Sequence, residues 1–268
     1  MNKPVRLGII GGNGWLGNAI AQAVVASGAV EPSCLTLSGR SGIRGTAEIR
    51  GAHWTRENGE LVDRSDVVVL SVRPEQFPGV HIDAGGKLVI SVMAGVSAQA
   101  ISAQTRATKV VRSIPNAAAV IRRSFTPWFA TTAVSPEDKR LVQVLFEACG
   151  DAAEVPLESH VDYCVGMTGS GAAFPALLVE AMVAHAVAQG MPRMFAERAA
   201  KGVVAGASQL FAGVDGDTAQ IVQAMIGYRG TTAAALQAML AAGFMDAVAE
   251  GLEAASAKAA AMASDACA

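Results

Sequence analysis

The stretch Gly8-Ile9-Ile10-Gly11-Gly12-Asn13-Gly14-Trp15-Leu16-Gly17 decides the fold of this chain. Its glycine-rich part, from Gly11 onward, follows a strand-like apolar run (5–10), opens a helical stretch (16–27) and fits the pattern G-x-G-x-x-G. Glycine allows a tight turn and lets backbone N–H groups approach a pyrophosphate, while the helix start adds its positive dipole end. Because the loop lies between a strand and a helix, it predicts a dinucleotide site, with an ordinary glycine-rich turn as the alternative. The residues expected to contact the dinucleotide are Gly11, Gly12, Asn13, Gly14, Trp15 and Leu16.

Further strand-like runs follow the loop. They cover residues 34–38, 66–72, 87–92, 109–114 and 125–133. Near-continuous apolar strands separated by helices are typical of a parallel sheet covered on both faces. From about Ser159 no further strand is indicated, and the chain has helical stretches rich in Ala, Met and Leu. We therefore predict an α/β fold: an N-terminal Rossmann-like domain with a mostly parallel sheet (1–158), followed by an all-α dimerisation domain (159–268).

The helical half contains a stretch that one chain cannot bury. Residues 174–189 are apolar nearly all round, and a helix that is apolar on every side must be buried on every side. A domain of about 110 residues offers little interior for such a helix. We therefore expect a homodimer, or a higher oligomer of dimers, built through this domain.

Composition argues against several classes of partner. The 268 residues include 21 Lys+Arg and 23 Asp+Glu, a formal net charge of −2, and no basic run, so neither nucleic acid nor an anionic membrane is expected. Uncharged stretches such as 88–105 are interrupted by polar residues, so no membrane span is expected. Four scattered cysteines and an N-terminus unlike a signal peptide favour a reduced, cytoplasmic enzyme. No motif for a metal site is present, so no metal is expected.

The end of the second predicted strand indicates which dinucleotide to expect. Proteins specific for NAD usually carry an acid there that binds the ribose 2′-hydroxyl. This chain carries Ser38-Gly39-Arg40-Ser41 instead. Two hydroxyls and a guanidinium suit a 2′-phosphate, which an acid would repel. Ser38, Arg40 and Ser41 therefore predict NADP(H) as the preferred cofactor. NAD(H) stays open, and a solvated loop arginine is the alternative for Arg40.

Ordered blocks along essentially the whole chain resemble the pyrroline-5-carboxylate reductase family. The blocks are Asp66-Val67-Val68-Val69-Leu70-Ser71-Val72-Arg73-Pro74, Leu88-Val89-Ile90-Ser91-Val92-Met93-Ala94-Gly95-Val96, Arg112-Ser113-Ile114-Pro115-Asn116, Gly169-Ser170-Gly171 and Gly230-Thr231-Thr232. The resemblance implies NAD(P)H-dependent reduction of the C=N bond of 1-pyrroline-5-carboxylate, or a related cyclic imine acid, to proline or its analogue. By matching position it implies cofactor contacts from Ser71, Val72, Arg73, Pro74, Ala94 and Asn116, and substrate contacts from Gly230, Thr231 and Thr232.

The turn before Ala233 has a physical interpretation of its own. Thr231 or Thr232 precedes a run of strong helix formers, which predicts that one of them is the N-cap residue. A helix start with unpaired N–H groups suits a carboxylate, and a second hydroxyl could bond the ring nitrogen of a cyclic imine, so Thr232 is the candidate catalytic residue. An ordinary capping turn is the alternative. Arg229 stands where the family has glycine, and it either pairs with a carboxylate or is solvated.

Two other functions remain open on the sequence. β-Hydroxyacid and prephenate-type dehydrogenases share the two-domain plan but need a Lys or His acid/base, and the spacing here favours no such residue. A non-catalytic NADP(H)-binding sensor dimer would explain the altered Tyr228-Arg229 segment, although the intact Gly230-Thr231-Thr232 turn argues against it.

Overall fold

The structure is a computed structural model that describes residues 4–39, 49–211 and 217–267. The chain forms two compact units. The first unit comprises residues 1–172 together with 254–268, and the second unit comprises residues 173–253. The domain boundary between residues 158 and 159 stays a prediction.

Within the described residues the first unit contains an eight-stranded sheet of order β3-β2-β1-β4-β5-β6-β7-β8. The strands are β1 (Leu7–Ile10), β2 (Leu35–Ser38), β3 (His53–Thr55), β4 (Val67–Leu70), β5 (Leu88–Ser91), β6 (Lys109–Ser113), β7 (Ser124–Ala130) and β8 (Gly150–Glu154). Neighbouring strands are parallel except β6 and β7. The predicted α/β fold with a mostly parallel sheet is confirmed.

The other regular elements of the described chain are helices. In the first unit they are α1 (Trp15–Ala26), α2 (Asn58–Arg64), α3 (Ala98–Thr105), α4 (Pro136–Glu147) and α5 (Glu158–Cys164). A π-helical turn (Val165–Gly169) follows α5. The later helices are α6 (Phe174–Ala188), α7 (Arg193–Phe211), α8 (Thr218–Gly227), α9 (Thr231–Ala241) and α10 (Phe244–Cys267). The predicted all-α C-terminal region is confirmed.

The core lies on both faces of the sheet, which explains the uninterrupted apolar strands. In β4, Val67 and Val69 point into one buried cluster, while Val68 and Leu70 point into the other. Successive side chains of a strand point to opposite faces, so a strand covered on both sides needs apolar residues at every position. The central strands therefore hold the loops at their carboxyl ends in a fixed arrangement.

Helix α6 leaves most of its apolar surface uncovered in a single chain. Val183 is its one fully buried residue, packed with Ala196 and Ala200 of α7, whereas Leu177 is 73% exposed. By length and composition alone, the helical stretch 158–188 is apolar enough to cross a membrane, as is the pair formed by α9 and the first part of α10. Exposed apolar surface of this extent indicates an interaction face.

Candidate functional site

A cavity of about 830 Å³ opens at the carboxyl ends of the central strands, within the first unit. Its wall comes from the segments that follow β1, β2, β4 and β5, together with Asn58 at the start of α2. The chain runs from β1 to β2 on one side and returns to β4 on the other side of β1, so the cavity lies where the strand order reverses. In open α/β sheets this switch point is where dinucleotides bind.

The glycine loop (8–17) has no room for a side chain at Gly11 or at Gly17. Gly11 has a φ of +87°, and a Cβ atom there would lie 2.3 Å from the carbonyl oxygen of Ser71. A Cβ atom on Gly17 would lie 2.4 Å from the carbonyl oxygen of Gly11. The N–H groups of Gly11 and Gly12 donate to the carbonyl oxygen of Ser38 at 3.0 and 2.9 Å, which fixes the loop against β2.

Helix α1 begins directly at the cavity. The first-turn N–H groups of a helix have no partner within the helix. Gly14 is the N-cap residue of α1 and has no side chain that could accept a hydrogen bond from them. Gly14, Trp15 and Leu16 all line the cavity. Unpaired N–H groups and the positive end of the helix dipole together suit a pyrophosphate, so the residues present fit a dinucleotide.

The structure brings most of the predicted cofactor residues to this one cavity. Those that line it are Gly11, Asn13, Gly14, Trp15, Leu16, Ser38, Ser71, Val72, Arg73, Pro74 and Ala94. Gly12 is packed against the side chain of Leu37, where a Cβ atom on Gly12 would lie 2.9 Å from that side chain. Asn116 is not part of the cavity wall, and its side-chain oxygen accepts from the N–H of Ala118 at 3.0 Å. Arg40 and Ser41 lie outside the described residues.

Asn58 is a cavity residue that sequence reasoning missed. Its side-chain oxygen accepts a 2.7 Å hydrogen bond from the hydroxyl of Ser38, which is buried at the end of β2. A hydroxyl and an amide therefore occupy the place where an NAD-specific protein carries an acid. Ser38 and Asn58 are 20 residues apart, so no local sequence pattern could have predicted that their side chains meet.

Two cysteines of the first unit are made less reactive by burial. Burial raises the pKa of the Cys149 thiol to about 11 and also raises the pKa of Cys164, so both thiols stay protonated at neutral pH. Hydrogen bonds from Thr55 and then His53 lower the pKa of the exposed Glu60 carboxyl. No group of three or more His, Cys, Asp or Glu side chains suited to a metal ion occurs in the part of the chain that the structure describes.

The predicted substrate turn lies at the start of α9, in the second unit. Gly230 is the N-cap residue, with φ −95° and ψ −164°, and α9 begins at Thr231. The prediction that Thr231 or Thr232 caps the helix is therefore wrong. The extended backbone residue is Gly230, which puts both threonines in the first helical turn. Their N–H groups consequently lack an intrahelical partner, and no hydroxyl is used for capping.

The residue before this turn has an unusual backbone. Arg229 has a φ of +57°, in the left-handed region that non-glycine residues rarely adopt. Tyr228, next to it, is 88% exposed. Where the family carries a glycine, this chain therefore holds an arginine in a conformation that glycine adopts at lower cost.

The fold and the cavity define a dinucleotide-binding protein of the Rossmann class with an added helical unit. The family model for pyrroline-5-carboxylate reductase dimerisation matches residues 158–262, and the model for coenzyme F420-dependent NADP oxidoreductase matches residues 6–95. Pyrroline-5-carboxylate reductase of Synechocystis is 32% identical over 260 residues, which cover 94% of this chain and 96% of the relative. The chain belongs to the pyrroline-5-carboxylate reductase family, as the resemblance predicted, and is an NAD(P)H-dependent oxidoreductase acting on C=N bonds.

Solved structures agree with this assignment. The pyrroline-5-carboxylate reductase of Coxiella burnetii is 26% identical, with a TM-score of 0.86 over 97% of this chain and 99% of that one. The pyrroline carboxylate reductase of Plasmodium falciparum, solved with NADP bound, is 23% identical, with a TM-score of 0.80 over 97% of this chain and 98% of that one. At 23% identity, the similarity to the Plasmodium falciparum structure supports the fold alone. The family model that matches residues 158–262 is named for dimerisation, and this range includes the helix that the sequence predicts to need a partner surface.

Proposed function

We propose that this chain reduces 1-pyrroline-5-carboxylate to proline with NADPH as the hydride donor. The observation that carries the proposal is the cavity at the switch point between β1 and β4, with the glycine loop and the start of α1 in its wall. Family membership supplies the reaction class, and the residues at the start of α9 supply the chemistry for a small acid.

The first unit holds the cofactor. The first-turn N–H groups of α1 bind the pyrophosphate, and glycines at positions 11 and 17 keep the loop close to it because a Cβ atom would strike the backbone. Asn58 contacts the adenosine ribose, with its side-chain oxygen held by the hydroxyl of the buried Ser38, and Arg40 and Ser41 complete a site for the 2′-phosphate. When bound, NADPH supplies the hydride to the carbon of the C=N bond.

The remaining cavity residues order the nicotinamide half. The segments 71–74 and 92–94 follow β4 and β5, on the side of the switch point opposite Ser38. A dinucleotide that binds across the switch point has its two halves on opposite sides of it. Ser71, Val72, Arg73, Pro74 and Ala94 are therefore the cofactor contacts that we assign to this half.

The start of α9 holds the substrate. The N–H groups of the first turn, Thr231 and Thr232 among them, bind the substrate carboxylate, and the helix dipole favours that charge. The hydroxyl of Thr232 bonds the ring nitrogen and so orients the C=N bond, which makes Thr232 the catalytic residue in this proposal. Arg229 adds a positive charge beside this carboxylate site.

The working form is a homodimer built through the helical region. The exposed apolar side chains of α6, such as Leu177 and Leu178, need a covering surface, and a second copy provides one. Cys34, Cys149 and Cys164 carry free thiols, which supports the cytoplasmic location expected from the sequence.

The test is a panel of cyclic imines, with and without a carboxylate and of different ring sizes, assayed by NADPH and NADH oxidation. We expect turnover of 1-pyrroline-5-carboxylate, faster with NADPH, and little turnover of the imine that lacks the carboxylate. Tight NADPH binding without turnover of any imine would favour a sensor dimer. Oxidation of 3-hydroxy acids in place of imine reduction would favour the dehydrogenase alternative.

A further inference from the structure

An ion cluster built on a buried arginine, with partly exposed carboxylates, joins β6 to α5 in the first unit. The side chain of Arg112 is only 2% exposed, although a guanidinium is rarely buried unless it is paired. Its Nη1 atom donates to Oε1 of Glu158 at 2.7 Å, and its Nη2 atom donates to Oδ1 of Asp162 at 2.5 Å. Glu158 and Asp162 are four residues apart, so one face of α5 presents both carboxylates to the same guanidinium.

Glu158 makes one contact that Asp162 does not share. Its Oε1 atom also accepts a 2.8 Å hydrogen bond from the backbone N–H of Ala98, the first residue of α3. This N–H group belongs to the first turn and has no partner within the helix. The carboxylate lies at the positive end of α3, where a negative charge is stabilised. Glu158 therefore ties the start of α3 to the buried guanidinium.

The start of α3 fixes the C-terminal end of a segment that lines the cofactor cavity. Residues 92–94 line the cofactor cavity, and Ser97, the N-cap of α3, follows three residues later. Upstream, the N–H of Val92 donates to the carbonyl oxygen of Leu70 at 3.1 Å. The segment is thus held at its first residue by the sheet and at its far end by Glu158.

We propose that Glu158 is a positioning residue for the cofactor. Held in place by Arg112, it fixes the start of α3 and thereby the course of residues 92–94 along the side of the cavity assigned to the nicotinamide half. The inference rests on the proposed function, because it takes this cavity as the NADPH site. Glu158 touches neither cofactor nor substrate and acts through the backbone of the segment 92–97.

The matched pair Glu158→Ala and Asp162→Ala tests the proposal. Each variant removes one carboxylate from Arg112, but only the first removes the hydrogen bond to α3. NADPH affinity is measured by fluorescence titration without substrate. We expect Glu158→Ala to weaken it about 5- to 10-fold and Asp162→Ala to change it less than about twofold. Glu158→Gln keeps an oxygen that accepts from the N–H of Ala98, so it should restore affinity to within about twofold of the unsubstituted protein.

Hydrogen exchange gives a second measurement that needs no cofactor. In the cofactor-free protein, the amide of Ala98 should exchange faster in Glu158→Ala than in Asp162→Ala, because only the first variant frees that N–H group. Equal loss of NADPH affinity in the two alanine variants would overturn the proposal, since the cluster would then act through general stability. Unchanged affinity in a folded Glu158→Ala protein would overturn it as well.

Glu158→Asp covers the case in which Glu158→Ala does not fold. It keeps a negative charge beside Arg112 but is one methylene shorter and cannot reach Arg112 and Ala98 together. The same weakening of NADPH affinity is expected, and unchanged affinity overturns the proposal. Because affinity is measured without substrate, a protein that binds NADPH but reduces no cyclic imine would defeat the proposed function and leave this test intact.

Discussion

The hydroxyl of Ser38 donates a 2.7 Å hydrogen bond to the side-chain oxygen of Asn58 at the edge of the cavity. Ser38 is fully buried at the end of β2, and its backbone carbonyl accepts from the glycine loop, so its position is fixed from both sides. The end of β2 therefore presents neutral groups where a carboxylate would select NAD.

Ser38→Asp should shift cofactor preference from NADPH toward NADH. A carboxylate at the end of β2 repels the 2′-phosphate and accepts a hydrogen bond from the 2′-hydroxyl of NADH. We expect the ratio of kcat/KM for NADPH over NADH to fall about 10- to 100-fold. Ser38→Ala, which removes the hydroxyl without adding a charge, is the control and should change the ratio much less. An unaltered ratio in the aspartate variant would show that the end of β2 does not lie beside the 2′-position.

Gly17→Ala should abolish tight NADPH binding. Its Cβ atom would lie 2.4 Å from the backbone oxygen of Gly11, and neither backbone can move aside without opening the loop. We expect a loss of about 1–3 kcal/mol in the free energy of unfolding and at least about a tenfold loss of NADPH affinity. Gly59→Ala is the control, because nothing lies within 4 Å of its Cβ position. Denaturant titration and NADPH fluorescence measure the two effects, and equal behaviour of the two variants would show that the close approach of Gly17 to Gly11 is not required.

Much of the first unit could be predicted because its signals are local. The glycine loop and the apolar runs of β1, β4 and β5 lie within single short segments. β8 was missed because its sequence, Gly-Asp-Ala-Ala-Glu, has one buried side chain, Ala152, and lies at the sheet edge. β3 was missed because it has only three residues, none of them fully buried.

The parts of the site that could not be predicted depend on contacts between distant residues. Arg112 and Glu158 are 46 positions apart, and no periodicity connects them. The N-cap of α9 was assigned to a threonine on propensity, but the extended conformation at Gly230 decides where the helix begins. Side-chain preference is a weak guide where a neighbouring glycine can adopt the required backbone.

Thr232→Ala should slow imine reduction without affecting the fold. Gly230 rather than a threonine caps α9, so loss of the hydroxyl leaves the helix start intact. We expect kcat to fall about 10- to 100-fold, because the hydroxyl that orients the ring nitrogen is gone. Thr232→Ser, which keeps a hydroxyl, should recover most of the rate. Full turnover by Thr232→Ala at an unchanged KM would remove the catalytic assignment.

Leu177→Glu should disrupt the proposed homodimer. Leu177 is 73% exposed in the single chain and lies on α6, where dimerisation would cover it. A buried, unpaired carboxylate at the interface costs several kcal/mol, enough to shift the equilibrium to monomers at micromolar concentration. Val144→Glu is the control, since Val144 is also exposed but lies on α4 of the first unit. Sedimentation equilibrium measures the shift, and a Leu177→Glu protein that stays dimeric would place the interface elsewhere.

Asp138 supplies a pH-dependent contribution to stability at the start of α4. Its carboxylate accepts from the hydroxyl and N–H of Ser135, completing a capping box, and pairs with Lys109 at 2.9 Å. Partial burial is the largest single influence and raises its pKa, but Lys109 and Ser135 together outweigh burial, so the pKa is lowered from its ordinary value of 3.8. A carboxyl whose pKa is lower in the folded state than in the unfolded state stabilises the fold at any pH above its unfolded-state pKa, and this stabilisation is lost as the pH falls through the folded-state pKa.

Asp138→Asn should therefore destabilise the protein at neutral pH and matter less in acid. We expect a loss of about 1 kcal/mol in the free energy of unfolding at pH 7, typical of a lost cap. The difference between variant and unsubstituted protein should shrink as the pH falls below about 4, through the lowered pKa of the folded state, because the native carboxylate is then protonated too. Glu137→Gln is the control: it removes a charge from the same helical turn but takes no part in the capping box. Denaturant titrations from pH 3 to 7 measure the difference, and a constant gap across that range would mean that the Asp138 charge contributes nothing.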